Sequence, residues 1–131
     1  MMFVPDLGLE RDGKQMDGLI VKKKWSDLIL NGCKDLEIRG CNTKKRGVIA
    51  IIESGTGLIK GEVELYNSTP FSEKIQRLYG MHWLTEHQIK ELSYRTPYAW
   101  WLEHPVRYDS PIPYEHPQGA VIWVKDVLGG K

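Results

Sequence analysis

Residues 32–39 read Gly32-Cys33-Lys34-Asp35-Leu36-Glu37-Ile38-Arg39, and this stretch decides how the rest of the chain is read. Before it, Trp25, Leu28 and Ile29 stand at i, i+3 and i+4, the spacing of a short amphipathic helix. Gly32 follows Asn31 where such a helix needs a left-handed cap, a conformation that glycine adopts without steric cost. Leu36 and Ile38 then alternate with Asp35, Glu37 and Arg39, the period of a half-buried strand. Glu37 and Arg39 therefore share one strand face, with Lys34 entering just upstream. One reading is a surface ion pair on an edge strand, which contributes little. The other is a site in which a carboxylate, a guanidinium and an ammonium converge.

Outward from this stretch the chain alternates strand and turn. Leu19-Ile20-Val21 is a short strand ending in the triplet Lys22-Lys23-Lys24. Downstream, Lys44-Lys45-Arg46-Gly47 turns the chain into Val48-Ile49-Ala50-Ile51-Ile52, an apolar run that predicts a strand buried on both faces. Beyond the turn at 54–57, Leu58 to Tyr66 forms a strand with Val63 and Leu65 inward and Glu62 and Glu64 outward. Gly61 in its middle marks a bulge or a close backbone approach. Residues 67–96 interrupt the pattern. Within them Thr85-Glu86-His87-Gln88 is a capping box flanked by the staple pair Leu84 and Ile89, predicting a helix at 86–92, and a further helix is expected at 73–79. This insertion is placed to act as a lid or wall beside the central stretch. Strands return at 98–102, continue past a proline kink through 104–108 and the extended 111–113, and end with 119–124.

The expected fold is α+β, a small and mostly antiparallel β-barrel with flanking and inserted short helices. Residues 1–16 read as a loosely ordered tail and residues 17–128 as one domain. At 131 residues the chain is long enough for a core without disulfides, and 41% hydrophobic with 27% charged residues suits a globular protein. No apolar run approaches the ~20 residues of a membrane span, and no secretory signal pattern opens the chain. Cys33 and Cys41 make no disulfide framework, so a reducing cytoplasm is the expected compartment. No membrane association is expected, and a monomer is the default expectation, although the sequence itself does not determine the oligomeric state.

A net charge of +1 excludes a strongly electrostatic, histone-like partner, but the two basic triplets bracket the central stretch and would make a phosphate-attracting patch if they share one side. His82, His87, His104 and His116 show no metal-ligand spacing, and neither a phosphate-binding glycine loop nor a nucleophile elbow is present. Trp100 and Trp123 read as core, while Trp83 and Tyr94 in the insertion are better candidates for exposure.

The pattern Lys24-Trp25 with Leu28-Ile29, then Gly32, Lys34, Glu37 and Arg39, then Arg46-Gly47 opening an apolar strand, resembles an ASCH domain of the PUA-like superfamily. Residues 57–65, Tyr98-Ala99-Trp100, Pro111-Ile112-Pro113 and Gly119 to Trp123 resemble the rest of that domain in the same order, so the likeness spans roughly 17–127. It implies a β-barrel flanked by helices with a cleft receiving Lys34, Glu37 and Arg39. ASCH domains are associated with nucleic-acid binding; some are ribonucleases, small bacterial members hydrolyse N4-acetylcytidine, and others are modules of transcription coregulators. The amidohydrolase members carry a threonine, proposed as nucleophile, where this chain has Glu37, which counts against that activity here.

Two functions follow as expectations. The first is binding of single-stranded RNA or a modified nucleotide, with Arg39 and Lys34 on phosphate, helped by the triplets at 22–24 (Lys24 among them) and 44–46 (Lys44, Lys45 and Arg46), and Trp25, Trp83 or Tyr98 stacking on a base. The alternative is an RNA-directed hydrolase in which Lys34 and Glu37 are catalytic and Ser26 lends a hydroxyl. No cofactor is evident; a nuclease would call for Mn²⁺ or Mg²⁺, held mainly by substrate phosphates.

Overall fold

The computed structural model describes residues 15–128. Most of the expected tail, and the glycine-rich end at 129–131, lie outside the described residues. Met16, the last residue assigned to that tail, is buried, and its carbonyl accepts a hydrogen bond from the Val127 amide at 2.9 Å.

Among the described residues, six strands form one sheet. In chain order they are β1 (Gly18–Val21), β2 (Leu36–Arg39), β3 (Gly47–Glu53), β4 (Leu58–Pro70), β5 (Tyr98–Pro113) and β6 (Trp123–Val124). Helix α1 (Lys23–Leu30) links β1 to β2, and α2 (Glu73–Gln76), α3 (Tyr79–His82) and α4 (Glu86–Lys90) occupy the segment between β4 and β5. The spatial order is β2-β5-β4-β3-β1-β6. Only β1 and β3 pair in parallel; every other pairing is antiparallel.

The β4–β5 ribbon is long, and its register shifts between Ile59 and Gly61, between Glu62 and Glu64, and between Leu65 and Asn67. Each shift adds bend and twist, so the sheet curls into a half-barrel. The β3 residues show the result. Ile49 and Ile51 pack inside with Leu19, Val63, Leu65 and Trp100, while Ala50 and Ile52 pack on the outer face with Ile59, Tyr108 and Val124. Both faces are covered, as the apolar run implied; each buried Ile contributes about 1.5–3 kcal/mol. Helix α1 adds Ile29 and Leu30 to the inner core.

A third cluster joins Leu36, Ile38 and Ala99 of the sheet to Phe71 and Leu84 of the insertion. Thr85 caps α4 in both directions, its hydroxyl accepting from the Gln88 amide and its own amide donating to the Gln88 side chain. The insertion is thus pinned against β2. The expected helix at 73–79 is two separate turns, α2 and α3, because Leu78 leaves helical geometry between them.

Two strand expectations are corrected. Glu62 is buried rather than outward, and its carboxylate accepts a 2.7 Å hydrogen bond from the Tyr108 hydroxyl on the neighbouring strand. The last strand shrinks to Trp123–Val124, since Val121 and Ile122 are exposed ahead of it. The strand expected at 98–102 does continue past a kink through 104–108, and it runs on to Pro113 as one element; the left-handed residue at the kink is His104, with φ of 55°.

Gly61 is the close approach that its sequence position implied. A Cβ there would stand 2.3 Å from the Val106 carbonyl oxygen and 2.9 Å from Leu30 Cδ2. Gly61→Ala should therefore cost about 1–3 kcal/mol by overpacking, measured by urea unfolding. An unchanged midpoint would contradict this packing.

Candidate functional site

Helix α1 ends as its sequence demands. Gly32 takes φ 82°, and the amides of Cys33 and Lys34 both donate to the Leu28 carbonyl, at 2.9 and 3.0 Å. This tight reversal turns Lys34 inward. From there β2 pairs antiparallel with β5, placing Glu37 opposite Trp100 and Arg39 opposite Tyr98. Leu36 and Ile38 face the insertion, so Glu37 and Arg39 face the hollow of the curled sheet.

That hollow is a cleft of about 390 Å³ whose charged lining is Lys22, Lys34, Glu37 and Arg39. Trp25 and Tyr94 supply its aromatic walls. Leu84 and Leu92 of the insertion complete the wall on that side, matching the role expected of this segment. Tyr94 lies against Gly40, where a Cβ would meet its ring at 2.6 Å.

The charged row is neither on the surface nor on a solvated edge. Lys34 and Glu37 are 3% and 5% exposed, which excludes the surface ion pair. Glu37 Oε2 accepts from Arg39 Nε at 2.9 Å, and Arg39 Nη2 donates to the Ile20 carbonyl of β1 at 2.9 Å. Since β1 and β2 are not neighbours in the sheet, Arg39 stitches the open side of the half-barrel. Lys34 Nζ donates to the His82 carbonyl at 2.5 Å, lies 3.9 Å from Glu37 Oε1 and sits over the Trp25 ring at 4.7 Å. Burial is the main reason its amine falls to a pKa of about 8; Glu37 opposes the shift and Arg39 adds to it.

His82 was not singled out from the sequence. It is fully buried; its Nδ1 accepts from the Leu84 amide at 2.9 Å, so the proton must sit on Nε2, which donates to the Gln76 carbonyl at 2.8 Å. Burial lowers its pKa, the Gln76 bond works against that shift, and the Lys34 charge reinforces it. A neutral imidazole thus fixes the turn whose carbonyl holds Lys34.

Other expected site residues stand elsewhere. Ser26 is buried in α1, and its hydroxyl donates to the Lys23 carbonyl at 3.1 Å, away from the cleft lining. Tyr98 packs against the inner core rather than offering a stacking face. Lys24 is exposed over the Trp25 ring at 4.7 Å. Lys44, Lys45 and Arg46 do not line the cleft. Lys45 pairs with Asp17 at 2.6 Å above Trp123, and Arg46 donates to the carbonyls of Thr43 and Lys45, while Lys44 is exposed. From the two triplets only Lys22 reaches the cleft. Of the aromatics, Trp123 is half-buried and stacks on Trp100 at 5.8 Å, and Trp83 is half-buried with its indole donating to the Cys33 carbonyl.

The donor set around Glu37 does not suit a divalent cation. Among the described residues, Glu37 is the one carboxylate in the cleft lining, and a guanidinium and an ammonium flank it. Among the described residues, Glu64, Glu103 and His104 do bring three possible ligand atoms together, on the β4–β5 surface.

A curled mixed sheet thus carries a helical insertion over one charged cleft. No family model matches the chain, and no curated protein does. Solved structures of the ASCH protein of Zymomonas mobilis do match in fold. A serine-to-alanine variant aligns at TM-score 0.66 and 15% identity over 83% of this chain and 86% of that one. A tyrosine-to-phenylalanine variant aligns at 0.64 and 17% identity over 76% of each chain. A third structure of that protein aligns at 0.60 and 16% identity over 70% of this chain and 69% of that one. The fold is therefore that of an ASCH domain. No helix among the described residues is long and apolar enough to cross a membrane.

The Lys34 amine makes folding pH-dependent. It titrates at about 8 when folded, against an ordinary value of 10.5. Between those values the unfolded chain keeps a proton that the folded chain releases, so stability rises with pH across the window and the full penalty applies below it. Wild type should gain about 3 kcal/mol relative to Lys34→Met between pH 8 and 10.5, from about 1.4 kcal/mol per pKa unit. A pH-independent difference in urea unfolding would show that the amine is solvated.

Proposed function

We propose that this chain binds single-stranded RNA or a modified nucleotide in the cleft around Lys34, Glu37 and Arg39. The observation that carries the reading is the lining itself: three cations (Lys22, Lys34 and Arg39) against one carboxylate, between the rings of Trp25 and Tyr94. The overall charge of +1 hides this local excess. With a pKa of about 8, Lys34 is largely protonated at pH 7.

The roles divide by exposure. Lys22 at the rim is free to meet a phosphate from solution. Arg39 is held by Glu37 and Ile20, so it meets the ligand without losing further side-chain freedom. Tyr94, 39% exposed, offers a ring face to a base, whereas Trp25 is held between Lys24 and Lys34. The Glu37 carboxylate gives an acceptor for base amino groups. The resemblance of the sequence to ASCH domains, a group associated with nucleic acids, supports the same reading.

A second reading, hydrolysis of RNA, is favoured by the desolvated Lys34 amine 3.9 Å from Glu37. An amine of pKa about 8 supplies some free base near neutral pH. N4-acetylcytidine hydrolysis has less support, because Glu37 occupies the position of the threonine nucleophile and Ser26 is turned into its helix.

Binding should be measured by fluorescence titration with a hexauridylate at several salt concentrations. Tyr94→Ala should lose about 1–3 kcal/mol, the worth of one stacked base, and log K should fall against log salt by about 0.7 per phosphate engaged. Salt-independent binding, or no loss in Tyr94→Ala, would sink the binding reading.

End-labelled single-stranded RNA, incubated with and without Mn²⁺ or Mg²⁺, tests hydrolysis. Cleavage by wild type and not by Lys34→Ala/Glu37→Ala is the outcome that reading requires. Intact RNA throughout would exclude it.

A further inference from the structure

The charged cleft is continuous with a second hollow of about 400 Å³. Ile20, Ser54 and Val121 line both. The second hollow is completed by the exposed backbone of the 54–57 turn, where Gly55 and Gly57 have φ of 81° and 72°, and by Tyr114, His116 and Ala120. Val121 is 75% exposed on the saddle between the two, an apolar side chain with no obvious packing role.

The two hollows differ in chemistry. Among the described residues, no lysine, arginine or carboxylate lines the second one. It presents two rings whose centroids lie 5.7 Å apart, and their polar atoms are engaged with each other and with the Ala120 carbonyl. His116 Nε2 faces the Ala120 carbonyl at 2.9 Å and must donate to it; Nδ1 then accepts from the Tyr114 hydroxyl at 2.6 Å. The rings are thereby held in place. An uncharged, aromatic, pre-positioned hollow suits a base and not a phosphate.

We infer that this hollow is a second nucleotide subsite, so that the ligand is an oligonucleotide of at least two residues lying across the Ile20–Ser54–Val121 saddle. The inference rests on the nucleic-acid reading of the first cleft. One base sits in the charged cleft, its neighbour sits against Tyr114 and His116, and Val121 separates them. The linking phosphate passes the saddle, near the Ser54 hydroxyl and within the field of Lys22 and Arg39. A single-nucleoside ligand would leave the second hollow unused.

The test compares uridine 5′-monophosphate with the dinucleotide UpU and with hexauridylate, each titrated into wild type, Tyr114→Ala and His116→Ala. His116 is exposed, so its variant keeps the fold even if the partly buried Tyr114 does not tolerate truncation. Wild type should bind UpU roughly tenfold more tightly than the mononucleotide. Both variants should lose most of that advantage while holding the mononucleotide as wild type does. Equal affinity for mononucleotide and UpU in wild type, or an undiminished advantage in both variants, overturns the second subsite and leaves the first cleft standing. If wild type binds none of the three, the nucleic-acid reading fails and the second subsite fails with it.

Discussion

The Arg39 side chain holds together what the backbone leaves open. The sheet runs from β2 at one edge to β6 at the other, and its two ends are not hydrogen-bonded to each other. Arg39 reaches from β2 to the Ile20 carbonyl of β1 and keeps its remaining face on Glu37 and above Trp100. Even a part-buried guanidinium is tolerated best when it is paired and hydrogen-bonded. The arrangement meets that demand on both sides, and in doing so it sets the width of the cleft. Removing Glu37 would leave Arg39 and Lys34 as two cations facing each other in a partly dry site.

The insertion is tied to the same row. Lys34 would be an uncompensated buried ammonium if it had only Glu37 at 3.9 Å. The His82 carbonyl and the Trp25 face complete its surroundings. His82 in turn is fixed by Gln76 and Leu84, and Leu84 belongs to the apolar cluster that packs α2–α4 on β2. The helical segment is therefore not an appendage. Its position and the protonation of Lys34 depend on each other, because withdrawing that wall would hydrate the amine and return it toward its ordinary pKa.

Much of the fold was legible because local rules decided it. The Asn31-Gly32 cap, the Thr85–Gln88 box, the apolar run at 48–52 and the bulge at Gly61 each depend on neighbours in sequence or on a single backbone demand. The alternation at 36–39 also predicted the strand and put Glu37 and Arg39 on one face. It could not say whether that face met solvent or the hollow of a curled sheet, since period two is the same in both cases. Glu62 was misjudged for that reason: its buried partner, Tyr108, lies 46 residues away. His82 carried no signal either, because its role passes through a backbone carbonyl 48 residues from Lys34. The basic triplet at 44–46 looked like part of the site by proximity in sequence, yet Lys45 is spent on Asp17.

On the proposed reading, ligand enters the hollow bounded by β2, α1 and the insertion. An amide and indole NMR titration with hexauridylate tests it most directly. Shifts are expected at Lys34, Glu37 and Arg39, at the Trp25 indole and at Tyr94, extending over Ser54 to Tyr114 and His116, with the 44–46 turn little changed. Shifts centred on Lys44–Arg46 with the β2 resonances unmoved would contradict it.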